Sequence, residues 1–189
     1  AGDRYPRWLT GYPVNLGSPV FYFYGPLPFF LLALIHAAHP ALTPSETLTV
    51  LHFLLYWGSG LAFFHWARSY VPRSVALVGA CLYMAAHYHV LDMDHRNAIG
   101  EAMAFVFLPL IFRYLLDAED RGRRRMLACL AYAGLIMAHL PSALLAAPFM
   151  LLAVVLVYWR APARGLLRLS TTGFAGALLA GPYLVPALA

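Results

Sequence analysis

Apolar runs of membrane length alternate with short arginine-bearing breaks along most of this 189-residue chain. Crossing a bilayer takes ~20 mostly apolar residues, so this pattern predicts about six spans, with shorter runs left for the interface. The first span, 45–67, opens behind "TPSE", where Thr43 caps, Pro44 takes the first helical position and Glu46 completes a capping box. Spans two and three are 74–90 and about 98–117. Spans four and five, 126–139 and 143–159, are joined by "LPS", and the sixth covers about 165–187. Gly173, Gly176 and Gly181 in that last run suit close helix approach. Pro109, Pro148, Pro182 and Pro186 predict kinks whose freed carbonyls neighbouring helices must satisfy.

The loops set an orientation. Arg68 and Arg73, the run Arg121, Arg123, Arg124 and Arg125, and Arg160, Arg164 and Arg168 all fall on one side. By the positive-inside rule that side is cytoplasmic. The basic loop "DAEDRGRRR" reads as a solvated anchor there. The opposite face holds 40–44, 87–97 and the "HLPS" turn at 139–142. Parity then puts the short apolar segment 26–39 on the outer surface, lying in the interface. The fold class expected is all-α and integral to the membrane, a polytopic bundle of about six transmembrane helices. Its division is an extracytoplasmic loop with interfacial helix at 1–44 and a helix bundle at 45–189.

Composition agrees with that pattern: 62% of residues are hydrophobic and 11% charged, where soluble domains carry roughly 25% charge. The net charge of +5 comes from arginine alone, in clusters between apolar segments, which excludes a nucleic-acid surface. Cys81 and Cys129 sit inside apolar runs as small buried residues. The chain begins without Met and shows no signal peptide, so we expect a piece of a longer protein.

One stretch breaks the apolar pattern. "HYHVLDMDHRNAIGE", residues 87–101, places His87, His89, Asp92, Asp94, His95, Arg96 and Glu101 at the outer ends of two spans, and His139 reaches the same face. Charges at membrane depth cost several kcal/mol unless paired, hydrated or used, so the cluster is a candidate site. Three readings stay open. His87, His89 and Asp92 offer ligands for a divalent metal such as zinc or manganese. Asp92, Asp94 or Glu101 could serve acid/base chemistry, and Arg96, with Arg4 and Arg7 in the first loop, could hold phosphate. Asp92, Asp94 and His95 could equally face water, and Glu101 could act as a favourable charge at a helix N-terminus. His36, His39, His52 and His65 read as interfacial or packed residues, and His139 as a helix-end residue or a catalytic or substrate-binding one.

Several stretches together carry a family resemblance. "YPRWLTGYPVNLGSPVFYFYGPLPFFLLALIHA", "HRNAIGEAMAFVFLPLIF", "AHLPSALLAAPFMLL" and "GPYLVPAL" resemble, in order and spacing, the bacterial and archaeal membrane family described as 6-pyruvoyl-tetrahydropterin synthase related. The name implies no pterin chemistry, because the likeness is to the membrane portion. That architecture is similar to the GT-C glycosyltransferases. It implies an outward-facing site, a polyprenyl-phosphate-linked sugar as donor, a cytoplasmic-membrane location and a divalent ion as a candidate cofactor. The GT-C pattern also implies a catalytic Asp after a first span, expected upstream of Ala1. The residues that carry over are Arg7, Arg96, Glu101 and His139. The alternatives are a transporter or flippase component and a membrane metal-binding protein. A proton or ion path predicts charges deep within the spans, where the sequence has almost none.

Overall fold

The structure is a computed structural model that describes Ser18, residues 24–117 and residues 122–188. Among the described residues it is helical, running α1 (Leu27–Ala38), α2 (Pro44–Ala67), α3 (Arg73–Met84), α4 (His87–Asp94), α5 (Ile99–Leu115), α6 (Gly122–Ala138), α7 (Leu140–Val157), α8 (Pro162–Leu179) and α9 (Gly181–Leu188).

The start of α2 is the capping box read from "TPSE". Glu46 N–H donates to Thr43 Oγ1 at 3.3 Å, and Thr43 N–H donates to Glu46 Oε2 at 2.8 Å. Two expected spans are broken instead. Residues 74–90 divide at Ala85–Ala86, where α3 and α4 meet at 47°. Ala86 is extended (φ −57°, ψ 131°), and His89 Nδ1–H donates at 3.2 Å to the Tyr83 carbonyl, which also accepts from Ala86 N–H at 3.4 Å. The run 165–187 divides at Ala180. Pro182 lacks the N–H and its ring would collide with the Leu178 carbonyl in a continuous helix.

Two described helices, Pro44–Ala67 and Leu140–Val157, are long and apolar enough to cross a membrane, and the bent α3–α4 pair makes a third if it is one span. On α7, Leu144, Leu145, Phe149, Leu152 and Leu156 are all more than half exposed, the apolar surface that lipid covers. The remaining helices match the expected positions closely. However, α5 and α6 have 17 residues each, and α8 carries Arg164 and Arg168.

Small residues set the packing. α5 lies between α2 and α6, and α6 packs on α8. A Cβ on Gly134 would fall 2.6 Å from the Phe107 ring, and one on Gly176 would fall 2.8 Å from the Tyr132 ring. Helix contacts inside membranes rely on such small residues. Gly173 and Gly181 meet nothing within 4 Å, so of the three glycines expected to allow close approach only Gly176 does so.

The basic end differs from its expected form. Asp117, the first residue of "DAEDRGRRR", is buried rather than solvated. Its carboxylate accepts from Arg113 Nη1 at 2.6 Å and from Arg124, while its carbonyl accepts from Tyr158 at 2.8 Å and from the buried Arg168. This clasp ties α5, α6, α7 and α8 together. At 17 residues, α5 places it about 25 Å from the opposite end of the bundle. Removing one partner of a buried ion pair costs ~3–5 kcal/mol. Asp117→Ala is therefore expected to lower the unfolding free energy in detergent by about 3 kcal/mol or more; a thermal or denaturant melt unchanged from wild type would contradict the clasp.

Candidate functional site

The polar stretch sits where α4 ends and α5 begins. Residues 88 and 92 lie one turn apart on one face of α4. After Asp94 the chain turns sharply. Arg96 N–H donates to the Leu91 carbonyl at 3.0 Å and Ala98 N–H to the Asp92 carbonyl at 2.9 Å. Asn97 takes φ 49°, a left-handed conformation that asparagine tolerates better than most residues. That reversal brings Arg96 back over α4 and points the first turn of α5 at it.

Arg96 then joins three side chains. Its Nη1 donates to Asp92 Oδ1 at 2.6 Å, to Tyr88 Oη at 2.9 Å and to Glu101 Oε2 at 3.0 Å. Its Nη2 donates to Glu101 Oε1 at 3.1 Å, completing a two-point pairing of guanidinium and carboxylate. Tyr88 donates to Glu101 Oε2 at 2.7 Å, and the guanidinium carbon lies 5.8 Å from the Tyr88 ring centre. The hydrogen bond to Glu101, then that to Tyr88, holds the Arg96 guanidinium above its ordinary pKa. Asp92 is fully buried, and its Oδ2 has no hydrogen-bond partner. A buried carboxylate is costly unless paired, so Asp92 fixes where Arg96 must be.

Glu101 and Arg96 open onto a cleft of about 380 Å³, walled also by Tyr24, Pro28, Phe29 and His139. Two glycines let its walls meet. A Cβ on Gly25 would stand 2.2 Å from the Met137 carbonyl oxygen, and one on Gly100 would stand 2.8 Å from that of Ala138. Backbone therefore packs directly on the end of α6, and the next residue, His139, is delivered to the cleft. His139 Nδ1 is 2.7 Å from Ser142 Oγ. Burial, the largest influence, lowers its pKa below the ordinary histidine value, so it is neutral at pH 7.

The remaining sequence candidates lie elsewhere. His89 is buried, stacked on Phe105 at 4.0 Å between ring centres, with Nε2 3.5 Å from Ser59 Oγ. His87 is exposed, and Asp94 is an exposed residue 3.7 Å from His95. Among the described residues no three His, Cys, Asp or Glu side chains are grouped to hold a metal ion. Arg4 and Arg7 lie outside the described residues. Sequence reasoning missed Tyr88, whose signal was its spacing of four from Asp92 and eight from Arg96. It also missed Gly25 and Gly100, which carry no signal beyond being glycine.

A family model described as 6-pyruvoyl-tetrahydropterin synthase related domain, membrane protein, matches residues 21–189. The chain belongs to that family. The match spans every residue of the cleft, and the family is one of membrane proteins. No curated protein and no solved structure matches the chain.

The glycine seams give the cleft a testable joint. Gly100→Val would force the start of α5 away from the Ala138 carbonyl. Amide hydrogen exchange at 97–103 should accelerate at least tenfold (about 1.4 kcal/mol of local stability), while α7 and α8 stay protected. Unchanged protection at 97–103 would show that the close contact does not hold the cleft together.

Proposed function

We propose that this chain is the membrane portion of a glycosyltransferase of GT-C type, in a polytopic bundle of about six spans. The transferase moves sugar from a polyprenyl-phosphate donor to a lipid or cell-surface acceptor, on the extracytoplasmic face of a bacterial or archaeal cytoplasmic membrane. The observation that carries the reading is the two-point Arg96–Glu101 pair, anchored on buried Asp92, at a cleft walled by the apolar helix α1. A lipid-linked sugar needs such a junction, with polar groups for the head beside apolar surface for the tail.

In an inverting transfer the acceptor hydroxyl oxygen bonds to the anomeric carbon while the bond from that carbon to the phosphate oxygen breaks. The phosphate leaves with the electron pair, and a base takes the hydroxyl proton. Glu101 and neutral His139 are the candidate acceptors of that proton. Glu101, held by Arg96 and Tyr88, is the better orienter of the hydroxyl. His139, neutral at pH 7, is the better Brønsted base.

Charge balance shapes the rest. Burial, then the neighbouring Glu101 carboxylate, raises the Asp92 pKa, so Asp92 and Glu101 outweigh Arg96 by at most one negative charge and the cluster has no net positive charge to offer phosphate. Arg96 keeps its Nε–H and a second Nη2–H beyond these partners, enough to orient a phosphate oxygen but not to neutralise it. The reading therefore assigns the neutralising charge to Arg4 and Arg7 or to a divalent cation. Glu101, which lines the cleft, carries the hard oxygens such an ion prefers, and the donor phosphate would have to complete its shell. Asp94, exposed and pointing to His95, is outside this chemistry.

In liposomes carrying the full-length protein and a polyprenyl-phosphate sugar, Glu101→Gln should reduce transfer by about 10²-fold or more, with membrane insertion intact. The acid limb of kcat/KM should have its midpoint below 6.5, because His139 is kept neutral to lower pH than a free imidazole. Near-wild-type transfer by both Glu101→Gln and Arg96→Ala would overturn the assignment.

A further inference from the structure

The turn at Asn97 has two sides. One faces the cleft already described. The other forms part of a shallow recess of about 410 Å³, lined by Thr49, His52, Phe53 and Tyr56 of α2 together with Met93, Asp94 and Asn97. The four α2 residues fall on one helical stripe, at spacings of three, four and seven. None of these seven side chains takes part in the Arg96 network.

The recess is polar at its loop end and aromatic along its helix. His52 Nε2 is buried and has no hydrogen-bond partner, a state that a ligand hydroxyl would relieve. Asp94 is exposed, with one contact at 3.7 Å to an equally exposed His95, so its carboxylate oxygens are available to donors. Thr49 Oγ1 donates to the Ser45 carbonyl at 3.0 Å and keeps its lone pairs. Phe53 is 62% exposed and Tyr56 flanks it one turn on, giving ring surface beside the polar groups.

These features select among ligand classes. No guanidinium lines the recess and a carboxylate does, which disfavours phosphate. An apolar ligand would bury Asp94 and Asn97 without partners. A sugar ring presents adjacent hydroxyls, which suit a carboxylate and an imidazole, and an apolar C–H face, which suits an aromatic ring.

We propose that the recess is a carbohydrate subsite that seats a sugar residue of the acceptor next to the one that reacts, across the Asn97 wall from Glu101. Asp94 and His52 take hydroxyls, and Phe53 and Tyr56 support the ring face. Its role as an acceptor site rests on the transferase reading above; the binding itself does not.

The test uses the full-length protein in lipid nanodiscs, with methyl glucoside, methyl galactoside and methyl mannoside as soluble probes read by saturation-transfer NMR. At least one probe should bind, inorganic phosphate should not displace it, and Asp94→Asn and His52→Phe should each weaken it about fivefold or more, as expected for a lost hydrogen bond. Asp94→Asn alters an exposed side chain and so keeps the test valid if His52→Phe folds poorly. Absence of binding by all three glycosides, displacement by phosphate, or equal binding by wild type and Asp94→Asn would overturn the subsite. Glycoside binding that needs Asp94, without transfer from any polyprenyl-phosphate sugar, would keep the subsite and remove the transferase reading. Transfer with probe binding indifferent to Asp94 would do the reverse.

Discussion

A carboxylate buried at the end of a membrane bundle constrains everything placed around it. Asp92 has no exposure, and an unpaired charge there would cost several kcal/mol. Arg96 meets that demand at 2.6 Å, but it can do so only because the chain reverses at Asn97. The same reversal starts α5 with Glu101 facing the guanidinium, and Tyr88, one turn before Asp92, bonds to both. The reacting carboxylate of the proposed transferase is thus oriented by a chain of contacts that begins at a residue no ligand reaches.

The two ends of the bundle use charge differently. At the basic end Asp117 draws in Arg113, Arg124 and Arg168, and its backbone carbonyl is shared with Tyr158. Those contacts cross four helices and lock their ends. At the other end Arg96 is 44% exposed and Glu101 19%, so the network there touches solvent and a cleft. The first arrangement suits a clasp and the second a site. Glycine gives the second its shape, because Gly25 and Gly100 admit backbone where a side chain would meet the end of α6.

Much of the helical layout was legible because apolar length and caps are local signals. "TPSE" announced α2, and "HLPS" announced the break between α6 and α7. The divisions at Ala85–Ala86 and at Ala180 were not read. In the first, the deciding contact is His89 reaching back to Tyr83, which is invisible to hydropathy; in the second, Pro182 predicts a kink and the structure has a full break. Arg96 and Glu101 stood out by type, and the structure joins them. His89 stood out too, yet its ring is stacked on Phe105 and serves packing. Asp117 looked like one more loop charge because its partners, Tyr158 and Arg168, come from much later in the chain.

The central claim is that Asp92, through Arg96, positions Glu101 for sugar transfer. Asp92→Asn keeps the shape of the side chain and removes its charge, so kcat and KM for the polyprenyl-phosphate sugar measured on this variant test the claim most directly. The expected result is a kcat lower by about 10²-fold, as for misplaced catalytic groups, with KM nearly unchanged. Wild-type kcat in that variant, or a loss confined to KM, would contradict it.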